Sequence, residues 1–319
     1  MSGEFAFIQA LRAIATDPAA RALADDAAVL AIGGETLVLT LDTVVEGVHF
    51  LPDDPPGDVA WKLVAVNVSD LSAKGATPVG CLYSHALDED GWDAAFLAGL
   101  DEACRHFAIP LLGGDTVRMP QGAPRSFSLT ALGTGTKDCP VPSRTAAKVG
   151  DRVWVSGTIG DAGLGLAAAR GDLEGARGDV EALLARYRRP IPQPRLGVAL
   201  APLVHAMMDV SDGLLVDAAR ICAASGVAIA LAVDAVPLSD ALLSTAGGAL
   251  KARLAAMTAG DDYELLFSAS SENTALIRET ARVLGLRVTA IGTVSTGSGL
   301  SLTDAGRPLP LPEKLGYQH

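Results

Sequence analysis

Aspartates that follow or interrupt apolar runs are the residues of this chain best suited to chemistry. Each has a small residue or glycine nearby, and they are Asp26, Asp42, Asp70, Asp115, Asp209 and Asp212. Burying an unpaired carboxylate costs several kcal/mol, so such residues need a cation or a helix start beside them. Hard divalent cations prefer oxygen ligands, and Mg²⁺ at phosphoryl-transfer sites takes carboxylates together with substrate phosphate. Convergence of these aspartates would create a site for several Mg²⁺ ions.

A second interpretation is that each aspartate caps a helix or makes a turn. The repeated placement at the ends of apolar segments favours convergence, although spacing alone leaves both interpretations open. The stretch "LLGGDT" adds two glycines that let backbone N–H groups approach an anion. Arg144 offers a planar fork of donors for a phosphate, with an ordinary surface arginine as the alternative.

Alternating helix and strand patterns must position these residues. Helices are predicted over 4–15, 59–76 and 92–107, and strands over 36–42, 109–115 and 126–135. A Pro-containing segment around residue 140 is the predicted domain boundary, followed by the strand "RVWVSG" and further helices and strands. The chain is therefore predicted to be α/β (α+β), with domains at 1–140 and 141–319.

Composition excludes several classes of protein. The chain of 319 residues is 49% hydrophobic and 19% charged, which is typical of a globular protein. Its net charge of −12 disfavours nucleic acid and anionic membrane as partners. The apolar runs are too short to span a bilayer, and no secretory signal is evident, so we expect a cytoplasmic protein. The four cysteines are widely spaced, which predicts free thiols.

Other nucleotide and catalytic motifs are missing or weak. The sequence has no Walker A loop, no GxSxG elbow and no protein-kinase HRD or DFG triplet. "GLGLAA" at 163–168 is similar to a dinucleotide fingerprint, but a charged, Gly-rich segment follows it instead of a second strand. From spacing alone, His49 is either a site residue or a partly buried histidine.

The ordered series of motifs resembles the thiamine-monophosphate kinase family, within the superfamily that also contains aminoimidazole ribonucleotide synthetase. The motifs are "GEFAFI", "DDAAVL", "LDTVVEGVHF", "AVNVSDLSAKGATP", "LLGGDT", "SRTAAKVGDRVWVSGTIGDAG", "MDVSDGLLVD" and "AGDDYELLF". The resemblance implies transfer of the γ-phosphoryl group of ATP to thiamine monophosphate. It also implies a two-domain aminoimidazole ribonucleotide synthetase-like architecture whose N-terminal domain pairs in a homodimer.

The resemblance further implies roles for individual residues. The metal ligands implied are Asp26, Thr40, Asp42, Asp70, Asp115, Asp209 and Asp212. Asp115 and Asp212 are the residues expected to be catalytic. ATP contacts are expected from Gly114, Asp115, Arg144 and Ser211, and substrate contacts from His49, Asp261 and Tyr317. Asp217 is expected to be structural.

Three positions depart from the family pattern. Ala24 replaces a glycine, Leu41 replaces a residue with a hydroxyl group, and Asp261 is one methylene shorter than the usual Glu. These changes leave two rival functions open. One is another ATP-using member of the same superfamily, and the other is a non-catalytic nucleotide or metal sensor.

Overall fold

The computed structural model describes residues 3–87 and 90–317. Two mixed sheets, each covered by helices, form its two halves. The elements of the first half are α1 (Gly3–Arg12), a 3₁₀ segment (Pro18–Leu23), β1 (Ala28–Ile32), β2 (Glu35–Val45), α2 (Pro56–Ala73), β3 (Thr77–Leu87), α3 (Asp90–His106), β4 (Leu111–Arg118) and β5 (Ser126–Thr134).

The elements of the second half are β6 (Arg152–Ser156), α4 (Asp161–Ala169), α5 (Arg177–Arg188), α6 (Pro194–Leu200), a 3₁₀ segment (Ala201–Leu203), β7 (Ala206–Asp209), α7 (Leu214–Ser225), β8 (Ala228–Ala232), a 3₁₀ segment (Val233–Ala235), α8 (Asp240–Ala246), α9 (Leu250–Met257), β9 (Leu265–Ala269), a 3₁₀ segment (Ser271–Asn273), α10 (Thr274–Val283), β10 (Val288–Ser295), β11 (Gly299–Asp304) and β12 (Arg307–Leu309).

The first sheet has the strand order β1-β2-β5-β3-β4, with β3 and β4 parallel and the other neighbours antiparallel. Helices α2 and α3 share a hydrophobic core with one face of this sheet. The opposite face, here called the open face, carries Leu41, Thr43, Leu82, Ser84, Asp115 and Val117. Leu41 is 62% exposed and Leu82 is 46% exposed.

Helix α2 is the central element of the molecule, because it contacts both halves. Of its 18 residues, 14 are buried, as expected for a helix that is apolar on nearly all sides. It packs on β2, β5 and α3 in the first half and on α5, α6, β7 and β9 in the second. A hydrogen bond of 2.8 Å from Trp61 Nε1 to the Pro190 carbonyl helps to fix the two halves together.

The second sheet has the order β12-β11-β8-β10-β6-β9-β7. Strands β8 and β11 are parallel, and the remaining neighbours are antiparallel. Strand β7 lies at the edge of the sheet next to α2, so Asp209, its last residue, reaches the junction between the halves.

The structure confirms the predicted α/β, two-domain architecture. The boundary at residue 140 stays a prediction, and it falls between β5 and β6. Strand β3 is absent from the sequence-based assignment, where Pro78 was interpreted only as a stop for the preceding helix; in the structure Pro78 lies within β3. "GLGLAA" lies inside α4. In the described ranges, no helix has both the length and the apolar character needed to cross a membrane.

Candidate active site at the junction of the two halves

Three carboxylates from distant parts of the chain meet at the junction. Asp26 precedes β1, Asp70 lies in the last turn of α2, and Asp209 ends β7. One oxygen of each lies within 4.8 Å of the others. We call these three residues the acid cluster. The structure thus brings together three of the aspartates that the sequence predicted to converge.

Residues of β2 and α2 surround the acid cluster. Thr40 donates a hydrogen bond from its hydroxyl to Asp70, and Ser69 donates one of 2.7 Å to Asp209 Oδ2. The Asp42 N–H donates to Asn67 Oδ1 at 3.1 Å. Alternation along β2 directs Thr40 and Asp42 to the same side of the sheet, the side that α2 covers.

Burial and mutual repulsion raise the pKa values of Asp42, Asp70 and Asp209. Burial, followed by the charges of Asp26 and Asp212, raises the pKa of Asp42 to about 6. Burial and Asp26 raise the pKa of Asp209 to about 8, with Ser69 opposing the shift. The pKa of Asp70 is also well above its usual value, because of burial and then the charges of Asp42, Asp209 and Asp26. The site therefore favours a cation that lets all of these groups ionise.

Cations of the protein adjoin one side of the acid cluster. Arg144 forms an ion pair with Asp26 Oδ1, and the fully buried Lys74 lies 2.7 Å from Asp26 Oδ2. Lys74 also pairs with Asp25, which receives a second bond of 2.6 Å from Arg21. Burial alone would raise the pKa of Asp25, but Lys74 and Arg21 outweigh it, and the pKa is lowered.

The segment before Asp26 has a strained backbone. Arg21, Ala22 and Leu23 have φ angles of 47°, 54° and 49°, a left-handed conformation that costs roughly 1–2 kcal/mol per residue. Two hydrogen bonds from the Arg21 guanidinium, to the carbonyls of Val141 and Pro142, hold the segment against the connection between the halves. Ala24 follows this turn, at the position where the family has glycine.

The turn between β7 and α7 carries Ser211 and Asp212. Its conformation depends on Gly213, with φ of 127°, and on Asp217, whose Oδ2 accepts the N–H groups of Asp212 and Gly213 at 3.2 Å each. Arg220 forms ion pairs with two aspartates. Its Nη1 lies 2.7 Å from Asp217 Oδ1, and its Nη2 lies 2.6 Å from Asp212 Oδ2. Burial raises the pKa of Asp217 to about 7, against the influence of Arg220. Asp217 thus supports the turn, in agreement with the structural role expected for it.

A second group of predicted residues, His49 and Asp261, lies beside Lys62, nearer the N-terminal end of α2 than the acid cluster. Both contact Lys62, whose Nζ donates to the His49 carbonyl at 3.0 Å and to Asp261 Oδ2 at 2.6 Å. The imidazole of His49 accepts the Val45 N–H at Nδ1, 3.1 Å away. The Asp261 N–H donates to the Ser211 carbonyl at 2.7 Å, which links this group to the turn that carries Asp212.

The chain returns to this turn near its C-terminal end. The Tyr317 N–H donates to the Asp212 carbonyl at 2.8 Å, and the residue is 46% exposed. Tyr317 was expected at the substrate from the resemblance, and its backbone lies beside the site.

Gly114 and Asp115 lie away from the acid cluster within this chain. They belong to β4, an edge strand whose residues are all exposed. Asp115 aligns with Ser84, Ser128 and Thr43 across the sheet, so three strand spacings, about 14 Å, separate it from β2. It also belongs to the open face, opposite to Asp42. A side chain at Gly114 would collide with the Tyr83 carbonyl, which gives this glycine a structural reason of its own.

The sequence analysis did not identify several residues of the candidate site. Lys62, Ser69 and Lys74 belong to or follow α2, and Arg220 belongs to α7. A signal existed for the two lysines, because each is a charged residue in an otherwise apolar buried helix or at its end. Their partners Asp25 and Asp261 lie 49 and 199 residues away in sequence, so only the tertiary structure identifies them.

Comparisons with known proteins agree with this architecture. Residues 24–135 match the family model "AIR synthase related protein, N-terminal domain", and residues 148–305 match "AIR synthase related protein, C-terminal domain". Thiamine-monophosphate kinase of Caulobacter vibrioides is 40% identical over 290 residues, covering 89% of this chain and 80% of that protein.

Two solved structures are also similar. Thiamine-monophosphate kinase from Stenotrophomonas maltophilia has a TM-score of 0.78 and 36% identity, covering 95% of both chains. AaThiL complexed with AMPPCP and TMP has a TM-score of 0.83 and 30% identity, covering 99% of this chain and 97% of that one. With this similarity extending over nearly the whole chain and both domains, the protein belongs to the thiamine-monophosphate kinase family.

Proposed function

We propose that this protein transfers the γ-phosphoryl group of ATP to thiamine monophosphate, giving thiamine diphosphate and ADP. The observation that carries the proposal is the acid cluster at the junction of the two domains, formed by Asp26, Asp70 and Asp209. The relatives support the same reaction, since they are thiamine-monophosphate kinases and one structure is a complex with AMPPCP and TMP. Because ATP is a co-substrate, we place the reaction in the cytoplasm.

The acid cluster fits Mg²⁺. Its donors are all carboxylate oxygens, the ligand type that Mg²⁺ prefers. Asp26 Oδ2 is buried, and its contact at 2.7 Å with Lys74 Nζ leaves lone-pair capacity for a cation. Asp26, Asp70 and Asp209, with Asp42 and Thr40 beside them and Asp212 at the adjacent turn, would hold the ions. Bound Mg²⁺ would neutralise charge on the phosphates of the donor and the acceptor.

The reaction itself requires alignment more than proton transfer. The acceptor is a phosphate monoester, already an anion at neutral pH, so no general base is needed. Arg144 adjoins Asp26 and offers guanidinium donors at the same side of the cluster, with Nε buried and unpartnered among the described residues. We assign Arg144 and the Ser211–Gly213 turn to the nucleotide phosphates, and His49, Asp261 and Tyr317 to the acceptor. Asp212 would hold Mg²⁺, which would stabilise negative charge on the transferring phosphoryl group.

We further propose a homodimer formed through the open face. This face presents Leu41, Leu82 and Val117 to solvent, and an exposed apolar sheet face favours association. A two-fold pairing of this face would bring the edge strand β4 of one subunit against the other subunit, and we propose that Gly114 and Asp115 approach the partner's site from there. We expect a dimeric mass in solution, and we expect Leu82→Glu to yield monomers; a monomeric wild-type protein would refute this arrangement.

A turnover assay tests the main proposal. Purified protein is incubated with ATP, Mg²⁺ and thiamine monophosphate, and the formation of thiamine diphosphate and ADP is measured by chromatography. Stoichiometric formation of both products is the expected result. Absence of thiamine diphosphate with intact nucleotide binding would favour a sensor, and ATP turnover that requires a different acceptor would favour another member of the superfamily.

A further inference from the structure

Lys62 is a buried lysine at the junction of the two domains. Its side chain is 3% exposed, in the first half of α2. A buried ammonium group is unfavourable unless it is paired and hydrogen-bonded, and Lys62 meets both conditions. Its Nζ forms an ion pair of 2.6 Å with Asp261 Oδ2, donates to the His49 carbonyl and lies 4.3 Å from the centroid of the Tyr187 ring.

The partners of Lys62 are more informative than its burial. His49 belongs to the first domain and Asp261 to the second, and both are expected at the acceptor. Lys62 is thus the group that connects the two sides of this subsite. A contact that served only to dock the domains is available elsewhere, because Arg188 Nε already binds Asp54 Oδ1 across the junction at 2.8 Å.

Asp261 is held in a specific orientation by its surroundings. Its φ of 62° and that of Tyr263, 52°, lie in the left-handed region that non-glycine residues rarely adopt. Strained backbone of this kind persists where surrounding contacts fix it, and it concentrates at functional sites. Here the N–H groups of Asp261 and Tyr263 donate to the carbonyls of Ser211 and Val210, at 2.7 and 2.8 Å.

Both carboxylate oxygens of Asp261 are also fixed. Lys62 binds Oδ2, and the Tyr263 hydroxyl donates to Oδ1 at 2.9 Å. The side chain of Asp261 nevertheless remains 32% exposed. Each carboxylate oxygen can accept two hydrogen bonds, so capacity remains for a donor of the acceptor molecule.

We infer that Lys62 is a positioning residue for the acceptor: together with Tyr263 it orients the Asp261 carboxylate, which accepts a hydrogen bond from a donor group on the organic part of the phosphate-monoester substrate. The inference rests on the proposed function.

Steady-state kinetics of Lys62→Met, Lys62→Arg and Tyr263→Phe test this role. In Lys62→Met we expect the KM for thiamine monophosphate to rise about 10-fold or more, as for loss of a hydrogen bond to a charged group, with kcat and the KM for ATP changed less than about 3-fold. Lys62→Arg should recover most of the loss, and Tyr263→Phe should show the same selective effect at a smaller size. Calorimetric titration with thiamine monophosphate should show the same order of affinities.

Glu102→Gln is the matched control, because it removes a cross-domain ion pair, 2.5 Å from Glu102 to Arg189, that touches neither Lys62 nor Asp261. We expect it to leave both KM values within about 2-fold of wild type. An equal rise in the KM for thiamine monophosphate in Glu102→Gln would show that Lys62 only docks the domains and would overturn the inference. An unchanged KM in Lys62→Met would do the same.

Different experimental results would refute the inference and the proposed function. If the wild-type protein forms no thiamine diphosphate, the function is refuted; if it does and the variants show no selective KM effect, only the positioning role is refuted. Should Lys62→Met fail to fold, as judged by circular dichroism, Tyr263→Phe decides the question, because that change removes one hydroxyl and leaves the buried ion pair in place.

Discussion

The acid cluster and strand β4 both carry aspartates expected at the site, but the fold places the two groups differently. Asp26, Asp70 and Asp209 are brought together by the fold of one chain, within 4.8 Å of each other. Asp115 lies on an exposed edge strand and faces the open side of the first sheet. The first group meets within one chain, whereas the second contributes to a site only in the dimer that we propose. In that proposal, similar sequence signals serve two levels of organisation, the folded subunit and its assembly.

The largest effect is expected from removing a charge at the junction. Asp70→Asn or Asp212→Asn should each lower kcat by about 10²–10³-fold, because a carboxylate that holds metal against the transferring phosphoryl group is lost. Circular dichroism should show an unchanged fold. The exposed Asp172→Asn is the control and should retain wild-type turnover. Wild-type activity in Asp212→Asn would remove that residue from the mechanism.

Mixed dimers test whether Asp115 acts in the partner's site. Asp115→Asn and Asp212→Asn should each be nearly inactive alone. Co-expressed in equal amounts, they should recover about a quarter of wild-type turnover, because about half of the dimers are mixed and each mixed dimer has one intact site. Absence of recovery, with mixed dimers demonstrated by differential tags, would place Asp115 in its own chain's site.

The pH dependence of stability should reveal the acid cluster. An acid whose pKa is higher in the folded chain than in the unfolded chain keeps its proton when folded, so its ionisation lowers the free energy of unfolding. Asp42 and Asp209 have raised pKa values of about 6 and about 8. Without Mg²⁺, stability should therefore decline as pH rises from about 4 to about 8.

The melting temperature with and without Mg²⁺ measures this effect. Because Mg²⁺ binds the ionised carboxylates, the increase that it produces should be larger at pH 8 than at pH 6, by about 4 °C or more. Asp209→Asn should flatten the pH dependence. An equal increase at both pH values would show that the acid cluster is ionised throughout this range, contrary to the raised pKa values.

The smallest effect is expected at Leu41. Its side chain belongs to the open face and is 62% exposed, whereas Thr40 and Asp42 on either side point to α2. Leu41→Thr restores the family's hydroxyl but directs it away from the acid cluster, so we expect kcat to change less than about 2-fold. A larger gain in kcat would indicate that this face also contributes side-chain ligands to metal.

Much of the site was predictable because its acids carry a strong local signal. A carboxylate at the end of an apolar segment has an energetic cost that only a partner removes, so Asp26, Asp42, Asp70 and Asp209 were candidates, with a helix cap or a turn as the alternative for each. The point at which they meet could not be predicted, because it depends on α2 lying between the two sheets. The same limit applies to Lys74, whose contacts with Asp25 and Asp26 follow from helix packing.

Edge strand β4 shows a different limit. The sequence "IPLLGGD" predicted a strand over 109–115, whereas β4 extends from Leu111 to Arg118. The sequence predicted neither its position at the edge of the sheet nor the face to which Asp115 points. Both depend on register with β3, which is set by long-range pairing and includes an irregularity between Cys81 and Leu82. A single irregularity of this kind reverses which side chains face the core.

Helix α2 sets the distance between the two proposed subsites. Lys62, near the acceptor residues, and Asp70, in the acid cluster, lie eight residues apart on the same buried helix, which corresponds to about 12 Å along its axis. A helix packed on nearly all sides cannot stretch. In the proposed arrangement, the number of residues in between would fix the length of acceptor that spans the two subsites, and molecules of another length would be disfavoured before any of their atoms react.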